Sequence, residues 1–120
     1  MEVVLHYLAG LPERECWFYD VFDSQAEPGM GNRLENHAPE LFGRVCRRFS
    51  RWPNVTVTRG KVPEVLAENA PDRIAFLHID MNNVDAEIGE LQVLFDRVAR
   101  GGVILFDDYG WTGYRAQKEA

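Results

Sequence analysis

Four short segments constrain this chain more than anything else in it. "CWFYDVF" (16–22), "NVTVTRG" (54–60), "RIAFLHID" (73–80) and "VILF" with the following acid (103–107) are apolar or β-branched nearly throughout. A strand with one face in water alternates polar and apolar residues, whereas near-continuous apolar strands belong to a parallel sheet covered on both faces. The stretches between them carry helical spacing. Residues 37–50 place Leu41, Phe42, Val45, Cys46 and Phe49 on one stripe, with Pro39 in the first turn. Residues 62–69 read as a short helix with Pro63 near its start. Residues 85–98 form the clearest helix, with Asp85 as candidate cap and Ile88, Leu91, Leu94, Phe95 and Val98 facing inward. Gly101 and Gly102 end the turn after it, "SQAEPGMGNRLEN" (24–36) is a loop, and short helices are expected over 2–9 and from 111 to 119. The alternation predicts an α/β fold, a Rossmann-like parallel sheet with helices on both faces.

Composition bounds the rest. A chain of 120 residues suits one domain, here spanning 1–120, and 46% hydrophobic with 12% aromatic content argues for a packed core. A net charge of -6 disfavours nucleic acid or an anionic membrane surface as partner. No apolar run approaches the roughly 20 residues that span a bilayer. "MEVVLHYLAG" lacks a basic leader, so a cytoplasmic location is the expectation. Cys16 and Cys46 stand among apolar residues and read as buried free thiols. Asn54 opens an "NVT" triplet that reads as the start of a strand.

Acids gather where the strands end. Asp20 and Asp23 follow the first, Asp80 the third, Asp107 and Asp108 the fourth. Ligands of open parallel sheets bind at the carboxyl ends of strands. A single acid there is ordinarily a turn former, but several on one rim repel one another, and a bound cation relieves that. Oxygen ligands of this kind suit magnesium, manganese or calcium rather than zinc.

"FLHIDMN" followed by "EIGELQVLFDRVARGGVILFDDYGWTGYRAQKEA" resembles the C-terminal half of class I S-adenosylmethionine-dependent methyltransferases, specifically the macrocin O-methyltransferase family. "RGGVILFDDYG" is the most specific part; "FYDVFDS" is similar to that family's second strand and "PNVTVTRGKVPEVL" to its third strand and following helix. The resemblance implies a truncated class I methyltransferase fold. It further implies S-adenosylmethionine and magnesium (or manganese) as cofactors, and transfer of a methyl group to a hydroxyl of a small molecule such as a sugar or macrolide glycoside. Asp20 would take the ribose hydroxyls, with Phe22, Gly60 and Asp80 also at cofactor positions. Asp80, Asp107 and Asp108 would hold the metal, and Tyr109, Trp111 and Tyr114 would wall the acceptor site.

Asp80 and Asn82 fall at the catalytic positions. Some relatives carry an acid where Asn82 stands, and an amide cannot take a proton. Either the metal alone activates the hydroxyl or another group such as His78 assists; by residue type His78 reads as a core residue of the sheet. The resemblance also implies that the family's first strand and glycine-rich loop are missing, which leaves strands 16–22 and 73–80 with open edges and predicts a homodimer. Two rivals stand beside the enzyme. One is a non-catalytic methyltransferase-like remnant or interaction module without cofactor. The other is a phosphoryl-transfer protein, which would need a phosphate-binding glycine loop or a basic residue near the acids.

Overall fold

The computed structural model describes residues 14–22, 40–81, 83–107 and 109–119, the side chains of Tyr114 and Gln117 excepted. The helix expected over 2–9, the loop over 24–36, and Asp23, Pro39, Asn82 and Asp108 lie outside those residues. Among the described residues every strand pairs in parallel and helical segments separate the strands, so the molecule is α/β. The strands form two pairs, in two compact units that divide between Gly60 and Lys61.

The first unit contains β1 (Cys16–Asp20), α1 (Leu41–Phe49) and β2 (Val55–Arg59). The β-branched run Val55–Thr56–Val57–Thr58 favours the extended pleat, and β2 pairs with β1 so that Phe18 faces Val57 and Asp20 faces Arg59. Asn54 fixes that register. Its carbonyl accepts from the Cys16 amide at 2.8 Å, and its side-chain amide donates to the Arg14 carbonyl at 2.7 Å. The stripe expected on α1 packs as aromatic pairs: Phe42 with Phe22 and Phe49 with Phe18, each at 5.1 Å between ring centroids. Those α1 residues are half-buried rather than fully enclosed. Trp52 is buried beside Phe49, with the Arg51 guanidinium 3.8 Å from its ring centroid. Cys16 and Cys46 are free and half-buried, and burial raises the Cys16 thiol above its ordinary pKa.

The second unit contains a 3₁₀ turn (Glu64–Ala67), β3 (Ile74–Ile79), α2 (Val84–Leu94), a 3₁₀ turn (Phe95–Arg97), β4 (Val98–Phe106), a further 3₁₀ turn (Thr112–Tyr114) and α3 (Arg115–Glu119). β3 pairs with β4, Leu77 facing Ile104 and Ile79 facing Phe106. Leu66, Ile74, Leu77, Ile79 and Leu94 form the core. Gly89 lets α2 approach the preceding segment: a Cβ there would lie 2.8 Å from Cγ of Pro63.

Four local expectations change. Asn83, not Asp85, caps α2; its backbone is extended and its side chain accepts from the Ala86 amide at 2.9 Å, while Asp85 and Glu87 occupy the first turn. The helix ends at Leu94, so Phe95 sits in the 3₁₀ turn at 60% exposure and Val98 begins a strand. The segment after Pro63 forms only one 3₁₀ turn. Gly101 and Gly102 lie inside β4 instead of before it. Between the pairs Ile74–Val98 and Phe76–Val103, β3 advances two residues and β4 five, an irregularity that needs backbone freedom. Gly101 supplies it with φ of 81°, and a Cβ on Gly102 would come within 2.8 Å of the Ala99 carbonyl oxygen. No helix among the described residues is long and apolar enough to cross a membrane.

Candidate metal centre

The carboxyl ends of β3 and β4 bring chemistry-bearing side chains together. Successive residues of a strand point to opposite faces, so His78 and Asp80, two apart, project to the same side. Asp107 follows β4 directly, and its amide donates to the Ile79 carbonyl at 3.1 Å. That bond continues the parallel ladder one step past Phe106 and sets Asp107 beside Asp80. One ligand atom from each of His78, Asp80 and Asp107 lies within 4.8 Å of the others. Both carboxylates are exposed and the imidazole is half-buried.

His78 therefore does not sit in the core, as its residue type suggested, but at the rim. Its Nε2 is 3.6 Å from Oδ1 of Asp107, too long for a hydrogen bond, and that nitrogen is shielded from solvent with no hydrogen-bond partner among the described residues. A shielded acceptor or donor without a partner costs about 1–3 kcal/mol. Two carboxylate oxygens and an imidazole nitrogen in this arrangement fit a divalent cation, which would give Nε2 the partner it lacks among the described residues.

Asp80 and Asp107 also border a cleft of about 340 Å³, walled by Ile79, Leu91, Phe106 and Tyr109 and by the polar Glu87 and Lys118. The Lys118 ammonium lies 5.9 Å from the Tyr109 ring centroid. Of the residues expected to wall an acceptor, Tyr109 lines this cleft, whereas Trp111 is 65% exposed and is not among the lining residues. Lys118 and Glu87 escaped the sequence reading because nothing in their local pattern distinguishes them from solvated helix residues. For His78 a signal existed, the His-x-Asp spacing at a strand end.

In the first unit, Asp20, Phe22 and Gly60 meet at the carboxyl end of β1. The Phe22 amide donates to Oδ1 of Asp20 at 2.6 Å, and the Gly60 amide donates to the Asp20 carbonyl at 3.1 Å. Phe22 is buried in a left-handed conformation, φ 49°, a strain that persists only where the surroundings enforce it. Here the Asp20 turn and the Phe42 contact supply that enforcement. The exposed Asp20 carboxylate spends one acceptor position on the turn, and a carboxylate has further acceptor positions.

Glu90 is the buried acid of the second unit, 7% exposed on α2. Desolvation, followed by the neighbouring Glu87 charge, pushes its pKa up to about 7. It is not among the residues lining the cleft.

A family model described as a methyltransferase domain matches residues 7–109. No curated protein and no solved structure matches the chain.

Proposed function

The chain belongs to the methyltransferase domain family, and from that membership we propose that it transfers the methyl group of S-adenosylmethionine to a hydroxyl of a small molecule, with a divalent cation assisting. The macrocin O-methyltransferase resemblance narrows the acceptor to a sugar or macrolide glycoside. The observation that carries the reading is the meeting of Asp80 and Asp107 beside a largely apolar cleft. A cation held there would polarise an acceptor hydroxyl and lower its pKa.

The chain's own residues supply binding and orientation. Asp20 accepts from the ribose hydroxyls, with Phe22 and Gly60 shaping that strand end. Asp80 and Asp107 would hold the cation, joined by Asp108 on the strength of the resemblance. Tyr109 lines the cleft beside Asp80 and Asp107 and would wall the acceptor, joined by Trp111 and Tyr114 on the strength of the resemblance. The acceptor oxygen forms a bond to the methyl carbon while the carbon–sulfur bond breaks, its electron pair passing to sulfur as S-adenosylhomocysteine leaves. The hydroxyl proton passes to solvent, since Asn82 offers no base. Much of the rate comes from in-line positioning. We take the protein as a cytoplasmic homodimer. The exposed apolar residues Phe76, Val103 and Leu105 of the β3–β4 pair support the association.

Calorimetric titration with S-adenosylmethionine and S-adenosylhomocysteine, with and without magnesium, tests the proposal. Binding of both nucleosides supports it. Absence of binding under either condition would favour the non-catalytic remnant.

A further inference from the structure

Resting on the metal reading above, we infer that His78 is itself a metal ligand, through Nε2, and that the site consequently selects a first-row transition dication such as manganese or cobalt over magnesium. The inference changes the donor set from oxygen alone to one nitrogen and two carboxylates.

The geometry supports an inner-sphere role. An ion with bonds of about 2.1 Å holds two adjacent ligands roughly 3.0–3.5 Å apart. The observed 3.6 Å between His78 Nε2 and Asp107 Oδ1 is close to that spacing and outside hydrogen-bond range. Simple acid–imidazole pairing would close this distance and satisfy the nitrogen, yet Nε2 is shielded without a hydrogen bond among the described residues. His78 and Asp80 leave the same face of β3, and the Asp107–Ile79 backbone bond fixes the third donor, so the three converge on rigid strand ends rather than on loops. The Phe76 ring, 6.5 Å from the His78 ring, occupies the same strand face.

The selectivity follows from ligand chemistry. Magnesium is bound through oxygen and dehydrates reluctantly, so exchanging an oxygen for an imidazole weakens it. Imidazole suits the first-row transition metals, whose affinity for a mixed nitrogen and oxygen site rises from manganese through cobalt.

The test uses the full chain and the metal alone. The sequence holds three histidines, so replacing His6 and His37 by glutamine leaves His78 as its only imidazole. Pulsed electron paramagnetic resonance on this variant loaded with Mn²⁺ should show modulation from a directly coordinated nitrogen. His78→Gln in the natural background should weaken Mn²⁺ and Co²⁺ by at least about tenfold, the loss that removing a ligand's own hydrogen-bond partner already causes, while Mg²⁺ changes much less. Bound Mn²⁺ without nitrogen modulation, or equal losses for manganese and magnesium in a folded His78→Gln variant, would overturn the His78 inference and leave the carboxylate site standing. Failure of the natural chain to bind Mn²⁺ at all would overturn both.

Discussion

The amide of Asp107 donates to the carbonyl of Ile79 at 3.1 Å, one step beyond the last paired residues of β3 and β4. Without it, the acid would follow a free chain end; with it, the carboxylate is held beside Asp80 by the sheet's own ladder. The bond also explains why the acid sits where an apolar run stops. Val103 to Phe106 fix the strand, and the first residue past the paired ladder carries the chemistry.

Asp20 is expected to act on cofactor affinity rather than on folding. Asp20→Asn keeps an oxygen to accept from the Phe22 amide but gives up the charge that strengthens bonds to ribose hydroxyls. A charged hydrogen bond contributes about 1.5–3 kcal/mol, so affinity for S-adenosylhomocysteine should fall at least tenfold, while the melting temperature falls only slightly because the amide oxygen still accepts from Phe22. Equal calorimetric affinity in the variant would remove Asp20 from the cofactor site.

Glu90 predicts a pH dependence of stability. Its carboxyl holds a proton up to about pH 7 in the folded chain and releases it near 4.5 when unfolded. Between those values the folded state binds more protons, so the free energy of unfolding falls as pH rises and levels off above 7. The full effect is roughly 3 kcal/mol. Glu90→Gln should flatten that slope and raise stability at pH 8, measured by urea denaturation across pH 4 to 8. A variant with the same slope as the natural chain would contradict the assignment.

Gly89 predicts a substitution that goes against helix propensity. Alanine in mid-helix ordinarily gains about 1 kcal/mol over glycine. Here its Cβ would meet the Pro63 ring at 2.8–3.2 Å, and overpacking costs about 1–3 kcal/mol. Gly89→Ala should therefore lower the denaturation midpoint; an increase would show that the Pro63 contact yields easily.

Sedimentation tests the proposed homodimer. Phe76, Val103 and Leu105, each about half exposed or more, lie along one face of the β3–β4 pair. A stable association should bury at least about 1,000 Å². The chain should sediment as a dimer at micromolar concentration, and Phe76→Lys should shift it toward monomer. A natural chain that sediments as monomer would refute the association.

The strands and their parallel sense were legible because β-branched and apolar runs leave few alternatives at Val55–Thr58 or Ile74–Ile79. The acids at strand ends were legible for the same reason. Tertiary detail was not. Asn83 took the cap from Asp85 because its extended backbone lets the side chain reach the Ala86 amide. Gly101 and Gly102 resembled a turn, but the same freedom serves a strand irregularity. His78 looked like core by residue type, and alternation alone does not tell which face of a strand is covered. In this unit Leu77 and Ile79 take the buried face, and His78 shares the other with Phe76 and Asp80.

The ends of β3 and β4 should bind one divalent cation. Titrating Mn²⁺ into the chain and recording the free-ion electron paramagnetic resonance signal tests it directly. The natural chain should suppress the signal up to one equivalent, and Asp107→Asn, with an unchanged circular dichroism spectrum, should leave most of it free. Equal suppression by the two proteins, or none by either, would contradict the site.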